Sequence, residues 1–233
     1  MLRDNAETLT LAPSPSRVES TAYAFSKSLV VINQDGGESS EAIRALRTHV
    51  MAQHIQRGRR ALAVCAASVG VGCTYIATNL AVSLSQIGIK TLLIDGNLRK
   101  PGVEGLISPP RPTEGLQQCL QSEDEHYAAF IEPEVLRNLS VMYTGGALSN
   151  PQELLALARF EGLMNFCLRD YEATIIDTPP ANGSADARRI STVVGYSMVV
   201  ARRDHSRVED LKTLINQLQA ERAKVIGTVL NEF

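Results

Sequence analysis

One stretch of the sequence carries residues whose types and order suit phosphate binding. Gly70, Gly72, Cys73 and Thr74 follow a strand-like apolar run at 61–66 and precede an amphipathic segment. Glycines in such a loop let backbone N–H groups turn toward a phosphate, and the next helix N-terminus adds partial positive charge. The usual motif then has Lys, whose ammonium reaches the β- and γ-phosphates, and Ser or Thr, whose hydroxyl binds Mg²⁺. Because Cys73 takes the place of that Lys, the sequence predicts a nucleotide site without its main cation.

Two aspartates end apolar, strand-like runs elsewhere in the chain. Asp95 closes the run 90–95, Asp177 closes the run 173–177, and a turn-rich segment follows each. Ligands of open parallel sheets bind beyond the carboxyl ends of the strands. We therefore expect the 68–75 loop, Asp95 and Asp177 to converge at one edge of a sheet. A strand-end Asp taken alone is more often a cap of the next segment than a ligand, and that interpretation stays open for each.

The elements that must position these residues alternate between strands and helices. The predicted strands are 61–66, 90–95, 139–143, 173–177, 197–201 and 225–230. The predicted helices start at Ser39 or Ser40 as N-cap, after the glycine loop, at Asn150-Pro151 (running to about 169) and at about 208 (running to 221). This alternation predicts an α/β fold with a mostly parallel sheet and helices on both faces.

Composition narrows the functional classes. The chain has 233 residues and a net charge of −2, so it lacks the global basic field that would indicate nucleic acid. Its four cysteines show no C-x-x-C spacing, which argues against zinc and iron–sulfur sites and fits a reducing cytoplasmic setting. No apolar run approaches the ~18–20 residues that span a bilayer. We therefore expect membrane contact only through a partner.

The chain divides into a tail and one domain. Residues 1–38 contain Pro, Ser and Thr with a single apolar island at 28–32, and they are interpreted as a mobile N-terminal tail whose island could also dock on the domain or a partner. Residues 39–233 form the predicted domain. Its first helix places Glu41, Arg44 and Arg47 beside an apolar stripe, although a merely solvated charged face is an equal alternative. Residues 108–132 receive no functional interpretation.

Three motifs in order resemble one known family. The glycine loop (70–74), the segment 92–101 and the segment 175–180 together resemble the cytoplasmic domain of bacterial tyrosine kinases of capsule and exopolysaccharide systems, a P-loop NTPase-like fold of the ParA/MinD class. Glu41, Arg44 and Arg47 match the family's oligomerisation motif, and the segment 150–155 matches the one before the second aspartate strand. The likeness is closest to split sphingan-type systems, in which a separate chain supplies the membrane part.

The resemblance implies roles for particular positions. Nucleotide-binding positions would be Gly70, Val71, Gly72, Cys73, Thr74, Tyr75 and Asn231. Thr74, Asp95 and Asp177 would hold Mg²⁺, and the two aspartates would be the catalytic candidates. The implied cofactors are ATP or ADP with Mg²⁺, and the implied partners are further copies of the chain and a membrane polysaccharide copolymerase (Wzz-like). The chain would then be cytoplasmic and peripheral to the inner membrane through that partner.

Three departures from the family pattern shape the functional expectation. Cys73 replaces the loop Lys, Asn97 replaces the second Asp of an Asp-x-Asp pair, and no Tyr follows Tyr196, so the C-terminal tyrosine cluster is absent. We therefore expect a kinase-like regulatory subunit of polysaccharide chain-length control or export, with weak nucleotide binding. The alternative is an active tyrosine kinase or ATPase that uses another cation, for which Arg99, Lys100, or Arg44 and Arg47 of a neighbouring copy are candidates. A ParA/MinD-type positioning ATPase is a weaker third possibility.

Overall fold

A seven-stranded sheet forms the centre of the computed structural model, which describes residues 22–33 and 36–232. The strand order is β5-β6-β3-β7-β2-β8-β9; all neighbours run parallel except β5 and β6, which are antiparallel. The strands are β2 (Ala61–Ala66), β3 (Thr91–Asp95), β5 (Glu132–Leu136), β6 (Leu139–Met142), β7 (Ala173–Asp177), β8 (Tyr196–Arg202) and β9 (Lys224–Asn231). A separate antiparallel pair joins β1 (Ala24–Phe25) to β4 (Ile107–Ser108).

Helices cover both faces of this sheet. They are α1 (Val30–Asn33), α2 (Glu38–Gln53), α3 (Cys73–Gln86), α4 (Leu116–Gln121), α5 (Gln152–Ala156), α6 (Ala158–Asp170), α7 (Asp186–Val194) and α8 (Val208–Ala220). Helices α1 to α3 contribute to the core on one face, and α4 to α8 contribute to the core on the other. The fold predicted from the sequence is therefore confirmed.

The central strands are apolar throughout because both of their faces are covered. Every residue of β2, β3 and β7 is buried. Side chains alternate between the faces along a strand, and accordingly Val64 belongs to one core while its neighbour Cys65 belongs to the other. Continuous burial of this kind is typical of parallel sheets.

The helix predicted from Asn150-Pro151 to about residue 169 is interrupted. Pro151 occupies the N-cap position of α5, and Leu157, with φ −67° and ψ 145°, separates α5 from α6. Arg189 donates to the carbonyl of Leu155 (3.1 Å), which a continuous helix would have used internally. This long-range contact compensates the break, and it has no local sequence signal.

The N-terminal helix of the predicted domain also starts differently from the prediction. Helix α2 begins at Glu38 with Gly37 as its N-cap, so neither Ser39 nor Ser40 is the cap. Ser40 lies inside the first turn, where its hydroxyl donates to the Gly37 carbonyl at 2.8 Å.

Part of the predicted tail packs on the domain. Leu29, Val30 and Val31 are buried in one core, and Tyr23 donates a hydrogen bond to Glu132 at 2.7 Å. The apolar island at 28–32 therefore docks, because its side chains cover α3, and a loosely held extension is the wrong interpretation for residues 22–33. Residues 1–21 lie outside the described residues. Within the described part of the chain, no helix has both the length and the apolar character required to cross a membrane.

Candidate functional site: a phosphate-loop cleft

The predicted loop connects β2 to α3 at the edge where the parallel strands end. Gly70 and Gly72 adopt left-handed φ values of +75° and +89°. A Cβ on Gly72 would lie 2.3 Å from the amide nitrogen of Asn231, so both the backbone conformation and the space at this position require glycine. The Asn231 side chain in turn donates to the Val71 carbonyl at 2.9 Å. Asn231 thus holds the loop from the end of β9.

The loop hydroxyl and the second strand-end aspartate lie in direct contact. Thr74 donates a 2.5 Å hydrogen bond to one carboxylate oxygen of Asp177. The other oxygen, Oδ1, is buried and has no hydrogen-bond partner among the described residues. Burial raises the pKa of Asp177 to about 7, and the charge of nearby Asp95 adds to the shift. An unpartnered buried oxygen beside a hydroxyl fits Mg²⁺, which prefers hard oxygen ligands.

Other ligands of such a metal ion would come from outside the side chains. No group of three or more His, Cys, Asp and Glu side chains within 22–33 and 36–232 could hold a metal ion. Protein-bound Mg²⁺ commonly takes one or two carboxylates and completes its shell with water and substrate phosphates. The pair of Thr74 and Asp177 therefore fits a magnesium–nucleotide complex better than a metal held by protein alone.

Asp95 lies beside Asp177 in the sheet, but its carboxylate is engaged by backbone N–H groups. Its carboxylate accepts hydrogen bonds from the N–H groups of Asn97 (3.1 Å), Gly102 (2.8 Å) and Val103 (2.9 Å). Burial raises its pKa, and these three donors oppose the rise. Gly102 in turn packs against Thr74, since a Cβ there would lie 3.0 Å from the Thr74 hydroxyl. The structure therefore brings Asp95 to the predicted edge, where it fixes the 97–103 turn against the loop.

The side chain of Cys73 points beneath the loop. Its sulfur donates to the Val64 carbonyl at 3.0 Å. Loss of solvent around the sulfur raises the pKa of this thiol well above its ordinary value, and the charge of Asp177 raises it further. Cys73 is consequently a neutral thiol directed at the sheet, and it offers no positive charge to a phosphate.

A cleft of about 410 Å³ lies above the loop, and two basic residues line it. Arg99 forms an ion pair with the buried carboxylate of Asp186 (2.6 Å) and donates to the Ser149 carbonyl (2.8 Å), so its charge is already neutralised. Lys100 is exposed, and its side chain has no hydrogen bond or ion pair within the part of the chain that the structure describes. Of the two, only Lys100 has an uncommitted charge.

Two residues that contact the loop are not predicted by the motifs of the sequence. Arg202 donates to the Gly70 carbonyl and His205 donates to the Val69 carbonyl, both at 2.9 Å, so the last residue of β8 and the turn after it hold the outer side of the loop. Only their position could have indicated them, because Arg202 ends and His205 closely follows a strand whose carboxyl end lies at the ligand edge. Tyr75 and Asn231 border a second groove of about 380 Å³ between α2 and the end of β9.

The residues of the predicted oligomerisation motif do not share one free surface. Arg44 pairs with Glu41 at 2.5 Å on the exposed side of α2. Arg47 instead donates to the hydroxyl (3.2 Å) and carbonyl (3.3 Å) of Ser83 on α3. Arg47 is therefore engaged within its own chain, and of the ion pair on the other side of α2 Glu41 is the more exposed member, with 63% of its side chain accessible against 27% for Arg44.

Comparison with known proteins finds tyrosine-protein kinases. No family model matches the chain. It is 30% identical over 193 residues to the Staphylococcus aureus protein named "Putative tyrosine-protein kinase CapB", covering 83% of this chain and 84% of that protein. It is also 30% identical over 191 residues to the tyrosine-protein kinase wzc of Salmonella typhi, covering 82% of this chain but spanning 26% of that longer protein.

Solved structures agree with these relatives. The chimerical protein CapA2B2 superposes with a TM-score of 0.78 at 31% identity, covering 88% of this chain and 89% of that one. The cell division ATPase MinD of Pyrococcus furiosus superposes with a TM-score of 0.62 at 22% identity over 74% of this chain and 72% of that one, which bears on the fold alone.

Proposed function

Because the chain belongs to the bacterial tyrosine kinases of capsule and exopolysaccharide systems, we propose that it is a kinase-like regulatory subunit of polysaccharide chain-length control or export. In this proposal it works in the cytoplasm and reaches the inner membrane through a membrane polysaccharide copolymerase. Conformation and self-association carry its signal, and phosphoryl transfer is slow or lost. The solved CapA2B2 relative, a chimera, supports a two-part system of this kind.

Each residue of the cleft has a defined task in this proposal. The amides of the 70–72 segment and the N-terminus of α3 bind phosphate oxygens, and Thr74 with Asp177 holds Mg²⁺. When bound, Mg²⁺ would neutralise charge on the terminal phosphates. Asp95 positions the 97–103 turn, and Asn231 positions the loop.

The neutral Cys73 thiol is the observation that carries the proposal. A loop lysine would make charge-assisted hydrogen bonds to the β- and γ-phosphates, and such bonds contribute about 1.5–3 kcal/mol each. Their loss corresponds to an affinity about ten- to hundredfold weaker. In addition, Asn97 cannot act as a carboxylate, so one acceptor for a metal ion or a proton is missing.

Calorimetry with Mg-ATP and Mg-ADP on three proteins tests the nucleotide part. We expect weak binding by the wild type, a ten- to hundredfold gain for Cys73→Lys, and no gain for Cys73→Ser, a neutral control of similar size. Turnover of ATP should stay near background in the wild type with or without its membrane partner. Sub-micromolar binding by the wild type, unchanged in Cys73→Lys, would contradict the proposal and favour an active kinase or ATPase.

A complementation experiment tests the regulatory part. In a strain that lacks the protein, the wild type and Asp177→Asn should restore the same polysaccharide length distribution if assembly carries the signal. Restoration by the wild type alone would show that the nucleotide cycle is required. Failure of both proteins would remove the chain from polysaccharide control.

Self-association through α2 is a further part of the proposal. Glu41 is exposed and pairs with the partly buried Arg44, so an interface at α2 could replace this ion pair with one between two copies and set the register of the assembly. Glu41→Arg should reduce the sedimentation coefficient under conditions in which the wild type associates, and Glu209→Arg on α8 is the matched control. Unchanged association of Glu41→Arg would exclude α2 as the interface.

A further inference from the structure

The edge of the sheet opposite the cleft brings the starts of six strands side by side. We call this the basic edge and define it as the first residue of each parallel strand (β2, β3, β6, β7, β8 and β9) with the four residues before it. Backbone hydrogen bonds connect most of the row: the N–H of Thr91 donates to Asn138 (2.8 Å), that of Glu172 to Lys90 (2.9 Å), that of Thr174, just inside β7, to Arg60 (2.6 Å), and that of Lys224 to Gly195 (2.8 Å). The parallel pairing of β2 with β8 completes it. Neighbouring strands lie about 4.8 Å apart, so the row is about 24 Å long.

Charge along the basic edge is strongly unbalanced. Its basic residues are Arg57, Arg59, Arg60, Lys90, Arg137, Arg169, Arg222 and Lys224. Its acidic residues are Asp170, Glu172 and Glu221. The basic edge therefore has an excess of five positive charges in a chain whose net charge is −2, so the rest of the chain is net negative. Cations are also favoured at the C-terminal ends of the helices that precede these strands, as Arg169 is in the last turn of α6, so the nature of the partner rests on what lies beside the charges.

Half of these cations have no partner among the described residues, and two more lie over aromatic rings. Arg57, Arg137, Arg222 and Lys224 are exposed, and their side chains have no hydrogen bond or ion pair within the described residues. Lys90 lies over the ring of Tyr171, 5.1 Å from its centre, and Arg59 lies 5.0 Å from the centre of the Tyr196 ring. These rings hold two of the charges in place at the edge without neutralising them.

Exposed apolar side chains lie among the cations. Ile87, 47% exposed, belongs to the basic edge itself. Leu168 is 39% exposed, and its carbonyl accepts from Arg60 at 3.1 Å. Ile32, 36% exposed, shares a groove with Arg137. Large apolar side chains beside Lys and Arg suit the boundary between lipid headgroups and acyl chains, whereas an acidic peptide or a nucleic acid would not require them.

We propose that the basic edge is a docking face for an anionic lipid bilayer. The face is elongated, its cations come from five separate strand starts, and its apolar side chains enter the headgroup region. Docking there directs the cleft, at the opposite edge of the sheet, away from the membrane. This contact goes beyond the proposed function, which needs membrane proximity only through a partner, and it does not depend on nucleotide binding.

Flotation of the full chain with vesicles tests the docking face. The vesicles are pure phosphatidylcholine or phosphatidylcholine with 30% phosphatidylglycerol, at about 0.05 M and 0.5 M salt. We expect binding only to the anionic vesicles, and its loss at high salt because the Debye length falls below 10 Å. Absence of binding to anionic vesicles at low salt would overturn the proposal and leave the proposed function intact.

Matched variants locate the contact. Each basic residue near an anionic surface contributes about a fivefold gain in partitioning, so the triple variant Arg57→Gln/Arg137→Gln/Lys224→Gln should lose roughly a hundredfold. The control Lys27→Gln/Arg207→Gln/Lys212→Gln removes the same charge from exposed positions elsewhere and should lose less than about threefold. Equal losses in the two triples would overturn the proposal. Circular dichroism and thermal melting verify that both triples fold.

The apolar contribution separates lipid from other anions. Ile87→Ser leaves the charge unchanged and should weaken vesicle binding severalfold, because less apolar area enters the bilayer. An unchanged partition for Ile87→Ser would argue against insertion and overturn the lipid assignment. Binding to a single-stranded oligonucleotide that anionic vesicles fail to displace would assign the edge to nucleic acid instead.

Discussion

The two sides of the cleft differ in what they offer a nucleotide. On the metal side, Thr74 and Asp177 put a hydroxyl against a carboxylate whose second oxygen is buried and unpartnered among the described residues. On the cation side, Cys73 is a neutral thiol turned to the sheet, and Arg99 is neutralised by Asp186. Of the described basic residues that line the cleft, only Lys100 has an uncommitted charge. The cleft therefore has a hydroxyl and a carboxylate of the kind that Mg²⁺ takes as ligands, while it lacks a fixed charge of the kind that neutralises a triphosphate.

Gly72→Ala should distort the loop that both sides of the cleft share, and it has the largest expected effect. Forcing Ala into the left-handed conformation and displacing the Asn231 amide from Val71 should destabilise the fold by about 2–4 kcal/mol. Gly88→Ala is the matched control, because Gly88 has the same φ of +89° with no atom within 4 Å of a new Cβ, and we expect about 1 kcal/mol there. Urea unfolding measures both. Equal losses would show that the contact with Asn231 contributes nothing.

Arg99→Gln tests whether the charge of Arg99 stabilises Asp186 or contributes to nucleotide binding. Removal of the guanidinium leaves the buried Asp186 carboxylate without its ion pair, so we expect a loss of about 2 kcal/mol in unfolding free energy. ATP affinity should change by less than about twofold, because Arg99 is committed to Asp186. The double variant Arg99→Gln/Asp186→Asn should recover most of the stability. A large loss of ATP affinity in Arg99→Gln would identify Arg99 as the substitute cation.

Asp177→Asn tests the metal side through pH. The folded-state pKa of about 7 lies above the ordinary 3.8, so the folded protein retains this proton longer than the unfolded chain and loses stability as pH rises across that window. In the absence of Mg²⁺, Asp177→Asn should therefore be more stable than the wild type at pH 8 by about 1–2 kcal/mol and show no advantage at pH 4. Thermal melting at the two pH values decides. An advantage confined to pH 4 would reverse the sign and contradict this environment for Asp177.

Lys100→Gln has the smallest expected effect. An exposed, flexible ammonium at the mouth of the cleft should contribute no more than about tenfold to ATP affinity. Lys90→Gln, at the opposite edge of the sheet, is the control and should leave calorimetric affinity unchanged. A loss well above tenfold for Lys100→Gln would remove the contrast between the two sides and support the active-enzyme alternative.

The pattern of apolar residues in the sequence predicted the central strands well and the strands at the edges of the fold poorly. The runs that became β2, β3 and β7 are apolar at every position because both faces are buried, so they are visible in the sequence. The strand β5 has a mixed burial pattern, a positive φ at Glu134 and an irregular register. Its sequence therefore has no apolar pattern that would predict a strand. The pair β1 and β4 consists of two residues each, held by contacts between segments about 80 residues apart.

Motif order predicted which residues meet at the cleft but not what each one contacts. The glycine loop, Asp95 and Asp177 lie at one edge, as parallel strands require. Asp95 accepts three backbone hydrogen bonds, and Asp186 forms an ion pair with Arg99. Both contacts depend on side-chain directions that tertiary packing determines. Arg202 and His205 lie more than 130 positions from the carbonyls they bind. Contacts between residues so far apart in the chain produce no local sequence motif.

The anchoring of the Val69 and Gly70 carbonyls also determines how the loop meets a ligand. Each peptide unit is planar and trans, so a carbonyl held outward by His205 or Arg202 turns the N–H of Gly70 or Val71 to the opposite side, toward the cleft. The loop is thus preorganised, and little conformational entropy is lost when an anion arrives. The coupling also acts in the opposite direction. A change that displaces residues 202–206 would release the two carbonyls, and the N–H groups of Gly70 and Val71 would lose their orientation toward the cleft. Slow amide hydrogen exchange at Gly70 and Val71, accelerated in Arg202→Gln, would report this mechanical coupling directly.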